Sequence, residues 1–254
     1  MKIHLQGADN ARDFRGIGNI YGETIKTKQF IRSNHLNSLT EQDIRVLTEE
    51  YDLVKVIDLR TTLEVEQKPD IMMKGVEHIH IPLLDESAIG ITHEANTDMQ
   101  AAGLADIPDM SVLYMRMVED DYSVSQLSKI MNIIADNENG AVLWHCTEGK
   151  DRCGIVSAMF LAMIDVDMQT IMEDYLSTNV AAEKRAEMFY KNVIRITKDE
   201  KKALEVKTAF LANKDYLNAS FRKIHENYSS LREYIEKRLK VDRKKIDKLQ
   251  NRCL

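Results

Sequence analysis

Between residues 141 and 161 the chain runs Ala-Val-Leu, then Trp144-His145-Cys146-Thr147-Glu148-Gly149-Lys150-Asp151-Arg152-Cys153-Gly154, then Ile-Val-Ser-Ala-Met-Phe-Leu. A short apolar run that halts at polar residues reads as a buried strand, and the second run reads as the opening of a helix. A strand that feeds a helix through so tight a turn favours a sheet with helices packed on it. The turn aims backbone N–H groups at one point, and the positive end of the helix adds to the potential there. Cys146 and Arg152 bracket it in a C-x5-R spacing with Gly149 inside.

The rest of the chain supplies matching pieces. Asn10-Ala11-Arg12-Asp13 leads into a small hairpin over 18–25, turning near Tyr21-Gly22, and Phe30-Ile31-Arg32-Ser33 is a short strand. Thr40 caps a helix through about Tyr51, with Asp43 in the capping-box position. Leu53–Leu59 and His78–Pro82 read as further strands, the first ending at Asp58-Leu59-Arg60. Residues 84–109 show no firm period and read as a long loop with short helices, a length that usually serves function. Ser123 opens a helix through Asp136, and Asn139-Gly140 turns into the central strand. From about Met168 the pattern is helical almost to the end. The expected architecture is α/β, one domain over residues 1–254, with residues 180–254 as a helical C-terminal part and a candidate lid.

Length allows one large α/β domain, and a formal net charge of −6 argues against a general nucleic-acid binder. No window approaches the run of about 18 apolar residues that a spanning helix needs, so no integral membrane segment is expected. Three cysteines are too few for a disulfide framework and point to a reducing, cytoplasmic setting, although a mature secreted chain with its signal removed would read the same. Residues 237–252 hold eight Lys or Arg against two Asp, which reads as a solvated terminal helix or as one facing phosphoinositides or a membrane. Oligomeric state is not legible.

The loop's residue types suit phosphoryl chemistry. A thiolate at Cys146, favoured by the helix N-terminus and a guanidinium, attacks phosphorus and forms a phosphocysteine. Arg152 offers a planar fork to two phosphoryl oxygens, and the backbone N–H groups of Thr147, Glu148, Gly149, Lys150, Asp151 and Arg152 hold the others. Lys150 adds positive charge at the mouth, and His145 orients the loop. Two acids compete to protonate the leaving oxygen, Asp151 inside the loop and Asp85 after the strand that ends at Pro82. No cofactor is called for, and no metal: Cys146 and Cys153 lack the spacing of zinc ligands.

The segment His-Cys-Thr-Glu-Gly-Lys-Asp-Arg-x-Gly resembles the H-C-x-x-G-K-D-R-[S/T]-G loop of a bacterial and fungal tyrosine-phosphatase-like family. The likeness extends to Asn10-x-Arg12-Asp13, to Arg32-Ser33, to Asp58-Leu59-Arg60 with Glu64 and Pro69-Asp70, and to Asp174-Tyr175-Leu176-Ser177-x-Asn179. It implies a cysteine-phosphatase fold, a central mostly parallel sheet flanked by helices. It implies a metal-independent hydrolase of phosphotyrosine, with phosphoserine, phosphothreonine and phosphoinositides or inositol phosphates as further substrates. It favours Asp151 over Asp85 as proton donor, since the tryptophan-proline-aspartate loop of eukaryotic tyrosine phosphatases is absent. It places Asp58 and Arg12 as supports and the helices after Asn179 as a lid.

One position departs from that pattern. Cys153 stands where the family has Ser or Thr, whose hydroxyl helps the nucleophilic sulfur depart. A thiol is a weak donor, so slow dephosphorylation of the intermediate is expected. Should the sulfurs of Cys146 and Cys153 lie close, oxidation would join them and protect the nucleophile. The competing readings are a catalytically weak phospho-ligand-binding module of the same fold and a rhodanese-type sulfurtransferase. Cys146, Asp151 and Arg152 together favour the enzyme, and Lys150-Asp151-Arg152 favours phosphate.

Overall fold

The computed structural model describes residues 1–85 and 109–254, so most of the loop expected over 84–109 lies outside the described residues. Five strands make the sheet: β1 (Arg12–Asp13), β2 (Phe30–Ser33), β3 (Leu53–Asp58), β4 (Glu77–His80) and β5 (Ala141–His145), in the order β1-β2-β5-β3-β4. The edge strand β1 is antiparallel to β2, and the other pairings are parallel. The apolar run at 141–145 takes the centre and is buried throughout, as a parallel strand covered on both faces must be. Its side chains alternate as a strand requires. Ala141 and Leu143 join Ile31, Leu53 and Val56 on one face, while Val142 and Trp144 join Phe30, Ile57 and Phe160 on the other.

The strand ends are in register. Ser33 and Asp58 both pair with His145, and Asp58 also pairs with His80. Cys146 therefore leaves the sheet at its carboxyl edge between two neighbouring strands, the crevice where open parallel sheets place ligands.

Helices cover both faces: α1 (Glu41–Arg45, continued by a π-helical turn over Val46–Glu50), α2 (Thr62–Gln67), α3 (Met110–Glu119), α4 (Asp121–Asp136), α5 (Asp151–Met163), α6 (Met168–Ser177), α7 (Asn179–Thr197), α8 (Glu200–Phe210), α9 (Lys214–His225), α10 (Leu231–Lys237) and α11 (Arg243–Cys253). Every residue of α5 is buried, so this helix is the axle of the larger core. The helix expected from Ser123 starts at Asp121, and a separate α3 precedes it, capped by Asp109 through the Ser111 N–H. The acids and methionines around residue 110 hide that cap in the sequence.

The helical C-terminal third is not uniform. Helices α9, α10 and α11 contribute Leu217, Tyr234 and Leu249 to the main core. Helices α7 and α8 instead form a hairpin with its own small core, including Phe189, Val193 and Phe210. The basic charge of 237–252 is partly spent on ion pairs, among them Arg238–Asp121 at 2.7 Å and Lys245–Asp136 at 2.6 Å, which tie the C-terminal end to α4. Among the described residues no helix is long and apolar enough to cross a membrane.

Asp43 shows how the N-terminal segment is fastened. Besides closing the capping box with Thr40, its carboxylate accepts the N–H groups of Gln6 at 2.7 Å and Gly7 at 2.9 Å. Burial works against the charge, but these donors outweigh it and hold the carboxyl below its ordinary value. A depressed carboxyl contributes stability that is present above its unfolded value of about 3.9 and fades as pH falls through the lower folded value. Asp43→Ala should thus cost about 1–3 kcal/mol at pH 7, and less at pH 3, in urea unfolding.

Candidate active site

The loop Thr147–Lys150 joins the end of β5 to the first turn of α5. Gly149 sits at φ +67°, and a Cβ there would stand 2.6 Å from the Ser33 carbonyl oxygen, so both the turn and its closeness to β2 require glycine. Beneath the loop, its carbonyls face a buried lattice. Asn10 Nδ2 donates to the Glu148 carbonyl at 2.9 Å, and Arg32 Nη2 donates to the Gly149 carbonyl at 2.9 Å. In a trans peptide the C=O and the following N–H point opposite ways. Holding these carbonyls down therefore turns the N–H groups of Gly149 and Lys150 up into the loop's cup, a place for an anion.

The lattice is completed by Asp174 on α6. Its carboxylate meets Arg32 Nη1 at 2.6 Å and Arg12 Nε at 3.3 Å, and Arg12 also donates to Asn10 Oδ1 at 2.7 Å. Burial opposes the charge on Asp174, yet the two arginines hold its carboxyl below the ordinary range. Arg12 thus lies under the loop.

Arg152, in the first turn of α5, is fixed by Glu64 on α2. Nη1 and Nη2 reach the two carboxylate oxygens at 2.7 and 2.9 Å, a two-pronged, charge-assisted pair. Glu64 Oε1 also accepts the Thr147 hydroxyl at 2.8 Å. Burial would raise the Glu64 carboxyl, but Arg152 keeps it below its usual value.

On the other side of β5, Arg60 grips Asp58 with Nη2–Oδ2 at 2.7 Å and reaches Asp70 at 2.9 Å. His145 Nε2 lies 2.8 Å from Asp70 and 3.8 Å from Asp58. Burial pushes the imidazole down, and the Asp58 and Asp70 carboxylates more than reverse it, so His145 holds its proton to higher pH than an ordinary histidine. Asp58, Asp70 and His145 bring three candidate ligand atoms together, but the Arg60 guanidinium already supplies the positive charge at that spot.

Two of the loop side chains are tied down by the C-terminal helices. Lys150 was expected at a solvated mouth and is instead 2% exposed, its ammonium donating to the carbonyls of Ala209 at 3.0 Å and Phe210 at 3.1 Å. Glu148 pairs with Arg185 of α7 at 2.7 Å. The α7–α8 hairpin thus closes over the loop, and the helical carbonyls at the end of α8 attract the cation.

Asp151 is 6% exposed; its Oδ1 accepts the Tyr114 hydroxyl at 2.6 Å and its Oδ2 lies 3.4 Å from Lys150 Nζ. Asp85 lies two residues after Leu83, whose amide bonds the Leu59 carbonyl at the carboxyl edge of the sheet, and residues 86–108 lie outside those described.

Cys146 is fully buried, with its Sγ 3.6 Å from Cys153 Sγ. In this enclosed arrangement burial pushes the Cys146 thiol up, and the facing Cys153 thiol adds to it. Burial here outweighs the pull of the helix terminus, while the Cys153 N–H favours the thiolate. Motif positions pointed to Glu64, Arg32, Asp70 and Asp174, although only as parts of a resemblance. Tyr114 and Arg185 carry no motif, and only the fold reveals them.

Comparison with known proteins agrees with this geometry. Residues 3–254 match the model of a family described as the tyrosine phosphatase family. A tyrosine-protein phosphatase of Nostoc commune is 30% identical over 152 residues, covering 59% of this chain and 48% of that protein, so the chain spans about half the length of that relative. The triple specificity protein phosphatase PtpB of Mycobacterium tuberculosis is 26% identical over 264 residues, covering 91% of each. Against solved structures, TpbA of P. aeruginosa gives a TM-score of 0.34 at 16% identity, covering 72% of this chain and 87% of that one. That is too low to carry the fold, which rests on the strand order above.

The sulfur separation gives a test. Hydrogen peroxide oxidises one thiol to a sulfenic acid with loss of water, and the second thiol displaces a further water to close a disulfide. Brief peroxide treatment should give a 146–153 disulfide by mass spectrometry, and dithiothreitol should reverse it. Cys146 sulfinic acid without the crosslink would contradict this.

Proposed function

Since the chain belongs to the tyrosine phosphatase family, whose members are phosphoric monoester hydrolases, we propose that it is a cysteine-dependent phosphomonoesterase acting through a phosphocysteine intermediate. The observation that carries this reading is Arg152, locked in plane by Glu64 in the first turn of the helix that follows Cys146. A guanidinium has five N–H donors, and Glu64 takes two of them in a fixed orientation, which prepares the group for phosphoryl oxygens.

In the proposed reaction Cys146 Sγ attacks phosphorus while the upturned loop N–H groups and Arg152 hold the oxygens on which charge builds. Asp151 gives a proton to the departing oxygen. Its place beside the loop and its fixed hydroxyl partner support it over Asp85. Water then cleaves the phosphocysteine, with Asp151 now the base. Thr147, Glu148 and Gly149 contribute backbone, His145 and Asp58 hold the strand ends, and Arg12 holds the loop from below.

Residues 1–254 act as one catalytic unit. Its lid is the α7–α8 hairpin rather than the whole of 180–254, because α9–α11 are part of the main core. Substrate entry requires Lys150 to leave the α8 carbonyls, after which its charge is available to a second phosphate. Phosphotyrosine is the primary substrate class. The resemblance of the loop supports phosphoserine, phosphothreonine or phosphoinositides as further substrates, and the name of the mycobacterial relative, a triple specificity protein phosphatase, supports a range wider than one class. The sparse cysteines support a cytoplasmic setting.

Three measurements test these assignments. The wild type should release phosphate from 4-nitrophenyl phosphate in EDTA, and Cys146→Ser should release none. A wild type silent across pH 5–8 would leave a phospho-ligand-binding module. Asp151→Asn should lower kcat/KM about 10²-fold or more for phenyl phosphate and far less for 4-nitrophenyl phosphate, whose leaving group departs without a proton. Cys153→Thr should raise steady-state turnover and shrink the burst of nitrophenol, because a hydroxyl donates to the departing sulfur better than a thiol does; equal burst size and turnover in the two proteins would count against this.

A further inference from the structure

Tyr114 lies on α3, a helix that belongs to no motif, and is fully buried. Its hydroxyl is 2.6 Å from Asp151 Oδ1 and 2.7 Å from the Tyr175 hydroxyl. The neighbours that fix it are themselves constrained. Tyr175 on α6 rests against Gly154, where a Cβ would stand 2.9 Å from its ring, so glycine in α5 is what lets Tyr175 come close. The Tyr114 and Tyr175 rings meet edge to face at 6.0 Å, and the Tyr216 ring closes the other side at 5.9 Å.

The direction of each hydrogen bond follows from the donors present. Burial, with Asp151 and Tyr175 adjoining, pushes the Tyr114 phenol far above its ordinary value, so it keeps its single hydrogen. An ionised carboxylate only accepts, so that hydrogen goes to Asp151 Oδ1. The Tyr114 oxygen then accepts from Tyr175, whose own oxygen accepts the Asn213 backbone N–H. The chain of donors runs one way, toward Asp151.

We infer that Tyr114, backed by Tyr175, is a positioning residue that holds Oδ1 of Asp151, so that Oδ2, which faces Lys150 Nζ at 3.4 Å until substrate draws that lysine toward its phosphate, is the oxygen that carries and delivers the proton. This rests on Asp151 being the proton donor. With Tyr114 donating to Oδ1, the carboxyl is held in one orientation and Oδ2 is the oxygen turned away from the tyrosine. As the S–P bond forms and the P–O bond breaks, the electron pair of that bond passes to the leaving oxygen, which takes the proton from Oδ2. The negative charge left on Asp151 is then met by the Tyr114 hydroxyl, already in place.

The test is kcat/KM for phenyl phosphate and 4-nitrophenyl phosphate in wild type, Tyr114→Phe, Tyr175→Phe, Asp151→Asn and the Tyr114→Phe/Asp151→Asn double variant. Tyr114→Phe should lose about tenfold more on phenyl phosphate than on 4-nitrophenyl phosphate, part of the 10²–10⁴-fold typical of general acid catalysis. Tyr175→Phe, which keeps the Tyr114 donor but removes its anchor, should show the same selectivity at smaller size. In the Asp151→Asn background the Tyr114 change should add no further selectivity. Equal losses on both substrates in the two tyrosine variants, or a selectivity that persists without Asp151, would overturn the inference and leave the acid assignment standing. An unselective Asp151→Asn would overturn the acid assignment itself, and this inference with it.

Discussion

The Arg152 guanidinium meets the Glu64 carboxylate end to end through two hydrogen bonds, and the arrangement of the loop depends on that pair. Buried ion pairs are poor sources of net stability, since the cost of stripping water from both charges consumes most of their attraction. Removing one partner is another matter, costing about 3–5 kcal/mol because the survivor is left charged and dry. The pair is therefore better understood as a device for orientation. One carboxylate fixes the start of α2 through the Thr61 capping box, the loop through Thr147 and the start of α5 through Arg152. Two stretches far apart in sequence, 61–64 and 147–152, meet on two oxygens.

The same economy appears below the loop. Asp174 pairs with both Arg12 and Arg32; Arg32 and Asn10 hold the loop's carbonyls downward, and Arg12 fixes Asn10. A cup lined by N–H groups would otherwise relax, because dipoles pointing at one another repel until an anion arrives. Burying charge under the loop keeps it open in advance of any ligand. Above the loop the arrangement is reversed. Glu148 and Lys150 are held by Arg185 and by the end of α8, so the hairpin is fastened to the loop it covers.

Much of this was legible in the residues. The strand-loop-helix around Cys146 follows from apolar runs on either side of a C-x5-R spacing, and the sheet's carboxyl edge follows from Asp58-Leu59-Arg60. Thr40 and Asp43 read directly as a capping box and form one. Lys150 was misplaced because a lysine between polar neighbours looks solvated, and only the return of the chain near Phe210 covers it. Tyr114 was invisible for a similar reason. Its partners lie 37 and 61 positions away, and α3 follows a stretch with no clear period. At Cys146 the helix terminus is local and visible in the sequence, whereas the burial that pushes its thiol up in this enclosed arrangement is set by the whole fold.

The hairpin over the loop leaves and rejoins the body of the protein at almost one point. Asn179, where α7 begins, donates to the Ala212 carbonyl at 2.9 Å and accepts the Ala212 N–H at 2.7 Å. The side chain of one residue thus mimics a strand partner for the other and ties the base of the hairpin shut. Topologically the segment is an insertion with touching ends, and its own apolar cluster lets it keep its shape independently. A segment of that kind can be lengthened, exchanged or lost between descendants of one ancestor while the sheet, the loop and the helix behind it stay as they are.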